Sequence, residues 1–288
     1  MTGGPTSGEP ISEGASGEIA EEAVRAEAAL LDEADRSATQ VRQTTMIYPA
    51  MTLDEAYRVQ AAWQDLRVGR GEVLVGHKIG LTSRAMQQAM RIDTPDSGFL
   101  TDAMVFAPDT ELGTDAFTDP KVEVELAFVL GRDLTAEPVG PDLTIDDVLA
   151  ATEYVTPAVE LLAARSHRID PDTGRTRTVI DTVADNAADA GIVCGGEPVG
   201  PRDVDLRWVG AVLSRNGIVE ETGLAAGVLG HPALGIVWLA RRYAEQGLSL
   251  RAGQTILAGS FTRPVDVRPG DQFAFDYGPL GRFTLGFT

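Results

Sequence analysis

Apolar positions follow two different periods along the chain, and the change falls near residue 70. Before it, EIAEEAVRAEAALLDEADRSATQVRQTT places Ile19, Val24, Leu31 and Ala34 near one face of a background rich in Ala, Glu and Arg, which predicts an amphipathic helix. TLDEAYRVQAAWQDLRVGRG spaces Ala56, Val59 and Trp63 in the same way, and Thr52 followed three residues later by Glu55 predicts a capping box at its start. From Gly71 onward the chain breaks into short apolar runs separated by Gly, Pro and Asp. EVLVGHKIGLT, KVEVELAFVL, GIVCGG, WVGAVLSRN, GIVEETG, QTILAGSFT, QFAFDYG and RFTLGFT all read as strands. Two of them flank Asn216-Gly217, the pair that a type I′ hairpin turn favours. Helices are expected at TIDDVLAAT (144–152), at HPALGIVWLARRYAEQG (231–247) and in SRAMQQAM after Ser83. Residues 1–18, rich in Gly, Ser, Thr, Pro and Glu, read as a disordered tail. The expected organisation is that tail, a helical cap over 19–70 and a sheet-dominated α+β domain over 71–288.

Composition narrows the function. The 288 residues suffice for one large domain or two modest ones. With 43 acidic against 24 basic residues the net charge is −19, so neither a nucleic acid nor an anionic membrane is an expected partner. There is no apolar run long enough to span a bilayer, and the polar start MTGGPTSGEP has no secretory character, so a cytoplasmic location is expected. One cysteine, Cys194, excludes a disulfide framework, and three histidines make a histidine-rich metal centre improbable. A bound metal would have oxygen ligands.

The segment Lys121–Leu130 holds the clearest candidate chemistry. In a strand, Val122, Val124, Leu126 and Phe128 share one face, while Glu123 and Glu125 share the other with Ala127 and Val129. Two carboxylates on a face that turns apolar would repel each other and resist desolvation. A hard divalent ion, Mg²⁺ or Mn²⁺, resolves both problems; a solvated sheet face is the plainer alternative. A third acid, Glu160, stands in the apolar run TPAVELLAARS, with either Arg165 or the same ion as its partner. Lys78 lies between small residues in a strand, where glycines leave room for a ligand and burial would lower its pKa, or where a lysine simply protects a sheet edge. Asp93 and Asp96 fall on a Pro- and Gly-bearing loop, Asp185 and Asn186 at a turn or cap, and Ser260 and Thr262 at a strand end followed by Arg263. Cys194 reads as a small core residue and His231 as a structural residue at a helix start.

Six collinear pieces, GHKIGLTSRAMQQAMRIDTPDSGFLTDAMVF, KVEVELAFVLGRDL, PAVELLAARSHRIDPDTGR, DTVADNAADAGIVCGG, SRNGIVEETGLAAGVLGHPALGIVWLA and AGQTILAGSFTRPV, resemble the 2-oxo-hept-4-ene-1,7-dioate hydratases. These group with vinylpyruvate hydratases and 4-oxalocrotonate decarboxylases in the fumarylacetoacetate hydrolase superfamily, and the resemblance runs from about Ile19 to Thr288. It implies a mixed β-roll with external helices and a magnesium (or manganese) ion on Glu123, Glu125 and Glu160. A role at the substrate is implied for Lys78; Asp96, on a loop that could close the site, is a separate candidate for a general acid or base. Substrate contacts are implied for Ser260 and Thr262, and more weakly for Asp185 and Asn186; apart from the resemblance, Arg263 is a candidate for a second carboxylate. The implied reaction is hydration of 2-oxohept-4-ene-1,7-dioate, through its dienol, to 4-hydroxy-2-oxoheptane-1,7-dioate in aromatic-compound catabolism. The alternatives are 2-hydroxypenta-2,4-dienoate hydratase and 4-oxalocrotonate-type decarboxylase. A homo-oligomer, pentamer or decamer, is implied as well. One departure is Ala163, where the pattern leads us to expect an Asp near Arg165.

Overall fold

The structure, a computed structural model, describes residues 19–84, 87–88, 92–135 and 143–288. Three helices open it: α1 (Glu21–Arg36), the single turn α2 (Thr44–Ile47) and α3 (Leu53–Gly69). The capping box expected at α3 forms, with Thr52 N donating to Glu55 Oε2 at 2.7 Å and Glu55 N donating to Thr52 Oγ1 at 3.3 Å. Val24, Ala28, Leu31 and Ala34 of α1 are buried, as are Ala56, Val59 and Trp63 of α3. The tail at 1–18 lies outside the described residues, as does part of the helix expected after Ser83.

Strands follow in the order β1 (Leu74–Gly80), β2 (Asp96–Thr101), β3 (Val105–Phe106), β4 (Thr110–Leu112), β5 (Lys121–Leu130), β6 (Thr152–Leu162) and β7 (Asp189–Cys194). Then come β8 (Gly210–Arg215), β9 (Ile218–Leu224), β10 (Thr255–Leu257), β11 (Val265–Asp266), β12 (Gln272–Asp276) and β13 (Arg282–Phe287). One sheet runs β2-β1-β10-β5-β6-β7-β3, with β11 on β5, and a second runs β4-β13-β12-β8-β9. The β8–β9 hairpin turns at Asn216 (φ 53) and Gly217 (φ 80), the two left-handed residues of the expected I′ turn. Helices Ile145–Ala151 and Ala233–Glu245 occupy their expected segments.

Five strands run where no strand is expected, the short β3, β4 and β11 and the longer β2 and β6. Asp96 opens β2 rather than sitting on a loop, and TEYVTPAVELL forms β6 across the centre of the sheet. β6 is buried on both faces, so its sequence has no alternation to read. Conversely, the strand at QTILAGSFT stops at Leu257, and Gly259 turns the chain at φ +118. A Cβ at Gly259 would run into the Thr82 side chain, so only glycine allows this close approach.

The first sheet separates two apolar clusters. Val122, Val124, Leu126 and Phe128 of β5 join the cluster that includes β12, β13 and the helix Ala233–Glu245. Each is fully buried, contributing about 1.5–3 kcal/mol for the larger side chains. Ala127, Ala158 and Leu257 face the other way, into the cluster with α1 and α3. Trp63 of α3 meets Phe99 of β2 edge-on at 5.8 Å and anchors the helices to that face. Glu123 and Glu125 share the parity of Ala127, so they emerge on the side that carries α1 and α3.

Candidate metal centre and active-site cavity

The antiparallel β5–β6 ladder sets Glu123 directly opposite Glu160, and Glu125 lies two residues further along the same face of β5. One oxygen from each of the three carboxylates lies within 4.8 Å of the others. Glu125 and Glu160 are buried and Glu123 is half-buried. Glu125 Oε2 accepts the Gly259 amide at 2.8 Å, whereas its Oε1 is buried with no hydrogen-bond partner. Burial, reinforced by Glu160, pushes the Glu123 carboxyl up to about 8. Burial and then Glu160 and Glu123 raise Glu125 well above the usual carboxylate range. An orphaned oxygen and a cluster of crowded anions are what an oxygen-liganded divalent ion would satisfy, and the all-carboxylate donor set suits a hard ion rather than zinc.

Lys78 reaches this centre from β1, with Nζ 3.1 Å from Glu160 Oε1. The solvated face and the protective sheet edge are therefore both excluded: Glu160 pairs with Lys78, which is 4% exposed in an interior strand. Burial acts to lower the Lys78 pKa, but Glu160, Asp96 and Asp189 outweigh it and hold the ammonium above the ordinary lysine range. The lowered pKa expected from burial alone does not arise. Asp96 stands opposite Gly80 in the β1–β2 ladder, is buried, and is raised by that burial against the pull of Lys78. The room left by Gly80 is filled by the protein itself: a Cβ there would collide with Asp96 Oδ1 and lie 3.0 Å from Lys78 Nζ. Gly76 serves packing instead, because a Cβ there would strike the Thr255 backbone of β10.

A cavity of about 610 Å³ opens onto these groups, a size suited to a small-molecule site. Lys78, Asp96, Glu123 and Glu125 line one part of it; Ser260, Thr262 and Arg263 line its rim. Ser260 Oγ donates to Thr262 O at 2.9 Å, and Val124 N donates to Thr262 Oγ1 at 3.3 Å, so these hydroxyls also staple the rim to β5. Arg263 is 82% exposed at its side chain and pairs with Glu221 at 2.7 Å. Asn186 is not among the cavity-lining residues. Its Oδ1 accepts the Phe99 amide at 2.8 Å and its Nδ2 donates to Phe99 O at 3.0 Å. That clamp holds Asn186, Ala187 and Ala188 in consecutive left-handed conformations (φ 50, 50 and 63), which bring both alanines to the cavity wall.

Arg165 pairs with Asp185 at 2.8 Å and donates to Ala163 O at 3.1 Å, so the alanine at 163 leaves the guanidinium fully engaged. His231 Nδ1 accepts the Ala233 amide at 3.1 Å at the helix start, the structural part expected of it. Burial raises the Cys194 thiol to about 11, in keeping with a packing role. Arg168 and Arg177, not expected at the site from the sequence, also line the cavity. They stand nine residues apart in a polar loop, and no spacing rule marks them.

Three converging glutamates beside Lys78 and Asp96, on a mixed β-roll, define a class of fold with a carboxylate cluster of the kind that suits a hard divalent ion. The chain belongs to the family of 2-oxo acid hydratases and decarboxylases that includes 2-oxo-hept-4-ene-1,7-dioate hydratase and 4-oxalocrotonate decarboxylase. It is 50% identical over 258 residues to 2-oxo-hept-4-ene-1,7-dioate hydratase of Escherichia coli, covering 90% of this chain and 95% of that one. It is 40% identical over 240 residues to 2-keto-4-pentenoate hydratase of Paraburkholderia xenovorans, covering 83% of this chain and 86% of the relative. Among solved structures, 4-oxalocrotonate decarboxylase from Pseudomonas putida G7, complexed with magnesium and adipate, superimposes with a TM-score of 0.88. That match is at 34% identity over 94% of this chain and 99% of the other. No family model matches the chain. Among the described residues, no helix is long and apolar enough to cross a membrane.

Proposed function

We propose that this chain hydrates 2-oxohept-4-ene-1,7-dioate, by way of its dienol, to 4-hydroxy-2-oxoheptane-1,7-dioate, using magnesium on Glu123, Glu125 and Glu160. The observation that carries the reading is the convergence of those three carboxylates beside Lys78 and Asp96 in one cavity. The 50% identity to a hydratase of that name supports the substrate. Magnesium, when bound there, supplies Lewis acidity toward a 2-oxo acid.

Hydration divides into two proton movements. Ketonisation takes the proton of the enol hydroxyl and places one on carbon 5, which leaves the 3,4 double bond conjugated with the ketone. Water then adds its hydroxyl to carbon 4 and a hydrogen to carbon 3. Asp96, raised by burial and facing the cavity, carries a proton to and from these positions. Lys78, held as an ammonium, fixes the substrate carboxylate and the negative charge that develops at the oxo end. Ser260 and Thr262 offer hydroxyls at the rim for the same carboxylate. Asn186 supports the wall formed by Ala187 and Ala188 through its clamp on Phe99.

The structural likeness to a decarboxylase favours a second reading, loss of CO₂ from a related 2-oxo diacid at the same centre. An ultraviolet assay of dienol disappearance separates the two when C5 monoacid and C7 diacid are run side by side, with and without magnesium. The expected result is magnesium-dependent turnover of the diacid to the hydroxy acid without CO₂. Stoichiometric CO₂ release would move the assignment to the decarboxylase, and full turnover in chelator would sink the metal role. Exposed Trp208, Val212, Ile218, Val219 and Leu224 support association into a homo-oligomer, and light scattering checks whether it is the pentamer or decamer that the resemblance implies.

A further inference from the structure

We propose that Arg177, with Arg168 opposite it, receives the far carboxylate of a dicarboxylic 2-oxo acid and makes this site prefer diacids over monoacids. The inference rests on the reading of the cavity as a 2-oxo acid site and names the group that would recognise the second charge.

The two arginines face each other in a short antiparallel ribbon. Arg177 N donates to Arg168 O at 2.9 Å, Asp170 N donates to Arg175 O at 2.9 Å, and Ile169 bridges Thr176 between them. That register sets residues 168 and 177 directly opposite, where like charges destabilise a ladder unless an anion lies between or beside them. Both side chains line the cavity, and Arg177 is only 9% exposed at its side chain. Burial and then the Arg168 charge pull the Arg177 pKa down to about 10, the direction expected for a desolvated cation beside another.

Their counter-ions are already shared. Arg168 pairs with Asp119 at 2.5 Å on the outside. Arg177 reaches Asp185 only at 3.4 Å, and Asp185 is held more closely by Arg165 at 2.8 Å. The other cations of the cavity wall are committed elsewhere. Lys78 is paired with Glu160 and in the proposed reaction serves the carboxylate at the oxo end, and Arg263, the expected candidate for a second carboxylate, lies largely in solvent against Glu221. The three glutamates balance a divalent ion and Lys78, so the metal end has no surplus positive charge for a second anion. A guanidinium fork that is nearly buried, weakly paired and aimed into the cavity fits a planar carboxylate.

The test uses the full chain with magnesium and two unreactive probes, 2-oxoheptanedioate and 2-oxoheptanoate, which differ only at the far end. Calorimetry should show the diacid binding more tightly to the unaltered protein. Arg177→Met should weaken the diacid by about 10- to 100-fold and leave the monoacid within about twofold, with Arg177→Lys in between. Equal loss for both probes, or no loss for either, would overturn the assignment. Should Arg177→Met fail to fold in a thermal scan, Arg168→Gln, at a partly exposed position, is judged by the same ratio of the two affinities. Failure of the hydratase reading is distinguishable: the diacid preference and its loss in Arg177→Met would persist while the C7 dienol went unhydrated.

Discussion

Gly80→Ala is the most direct probe of how the catalytic pair is placed. Gly80 ends β1 in extended backbone, so alanine meets no conformational strain there. The added methyl instead meets side chains: it would collide with Asp96 Oδ1, lie 3.3 Å from Asp96 Cγ and lie 3.0 Å from Lys78 Nζ. Asp96 is 2% exposed and paired across the ladder with Gly80 itself, so it has little space to withdraw. Overpacking of this kind costs about 1–3 kcal/mol, or roughly 2–12 °C in melting temperature for a domain of this size. The catalytic penalty should be larger, because relieving the overlap displaces Asp96 by about 1 Å and such misplacement can lower the rate about 100-fold. The glutamates lie on β5 and β6, so magnesium affinity should stay within about twofold of the unaltered protein. Steady-state kinetics on the dienol, a thermal scan and a magnesium titration together separate these effects. A Gly80→Ala protein that folds, binds magnesium and turns over at the ordinary rate would show that the Asp96 position has no part in the chemistry.

Glu123→Gln should lose magnesium affinity and turnover together, each by at least about tenfold, and a titration that shows unaltered affinity would remove Glu123 from the ligand set. The pH dependence of metal binding follows from the same carboxyl. Because Glu123 sits at about 8, the metal-free protein holds that proton at neutral pH and the ion must displace it. Affinity should therefore climb with pH, by up to about tenfold per unit below 8, and level off above it; a flat profile between pH 6 and 8 would contradict this. The folded-state pKa is raised above its ordinary 4.5, so the metal-free fold loses stability as pH rises from that value through 8, and magnesium should restore it in melting scans. Arg165→Met breaks a buried ion pair with Asp185 and strips a guanidinium that stacks 4.9 Å from Trp63. A loss of about 3–5 kcal/mol in urea unfolding is expected, and a loss below about 1 kcal/mol would mean that Asp185 is satisfied without it.

Local pattern and long-range register account for different parts of this site. Glu123 and Glu125 were legible together because they are two residues apart in one alternating strand, and a period of two is a local property. The capping boxes at Thr52 and the Asn216-Gly217 turn were legible for the same reason. Glu160 is a different case. Its place opposite Glu123 depends on how two strands separated by a helix slide past each other, and a shift of one residue would turn it away from the other two carboxylates. Nothing in TPAVELLAARS announces that register, since β6 is buried on both faces; the collinear resemblance supplied what the residues could not. Asp96 reads from the sequence as a loop acid, because Pro95 and Gly98 mask the strand that carries it. Gly98 is needed there: a Cβ would meet the Asn186 carbonyl, so the turn that clamps Phe99 excludes the side chain that would have advertised a strand. The arginines at 168 and 177 are the extreme case. Their meaning lies in a ribbon register, a cavity wall and the prior commitment of every neighbouring cation, all of which exist only once the chain has folded. The proposed metal ligands therefore sit on two paired strands, whereas the group proposed to select the substrate's second charge sits in the loop between strands, where substitution can alter specificity without disturbing the three carboxylates.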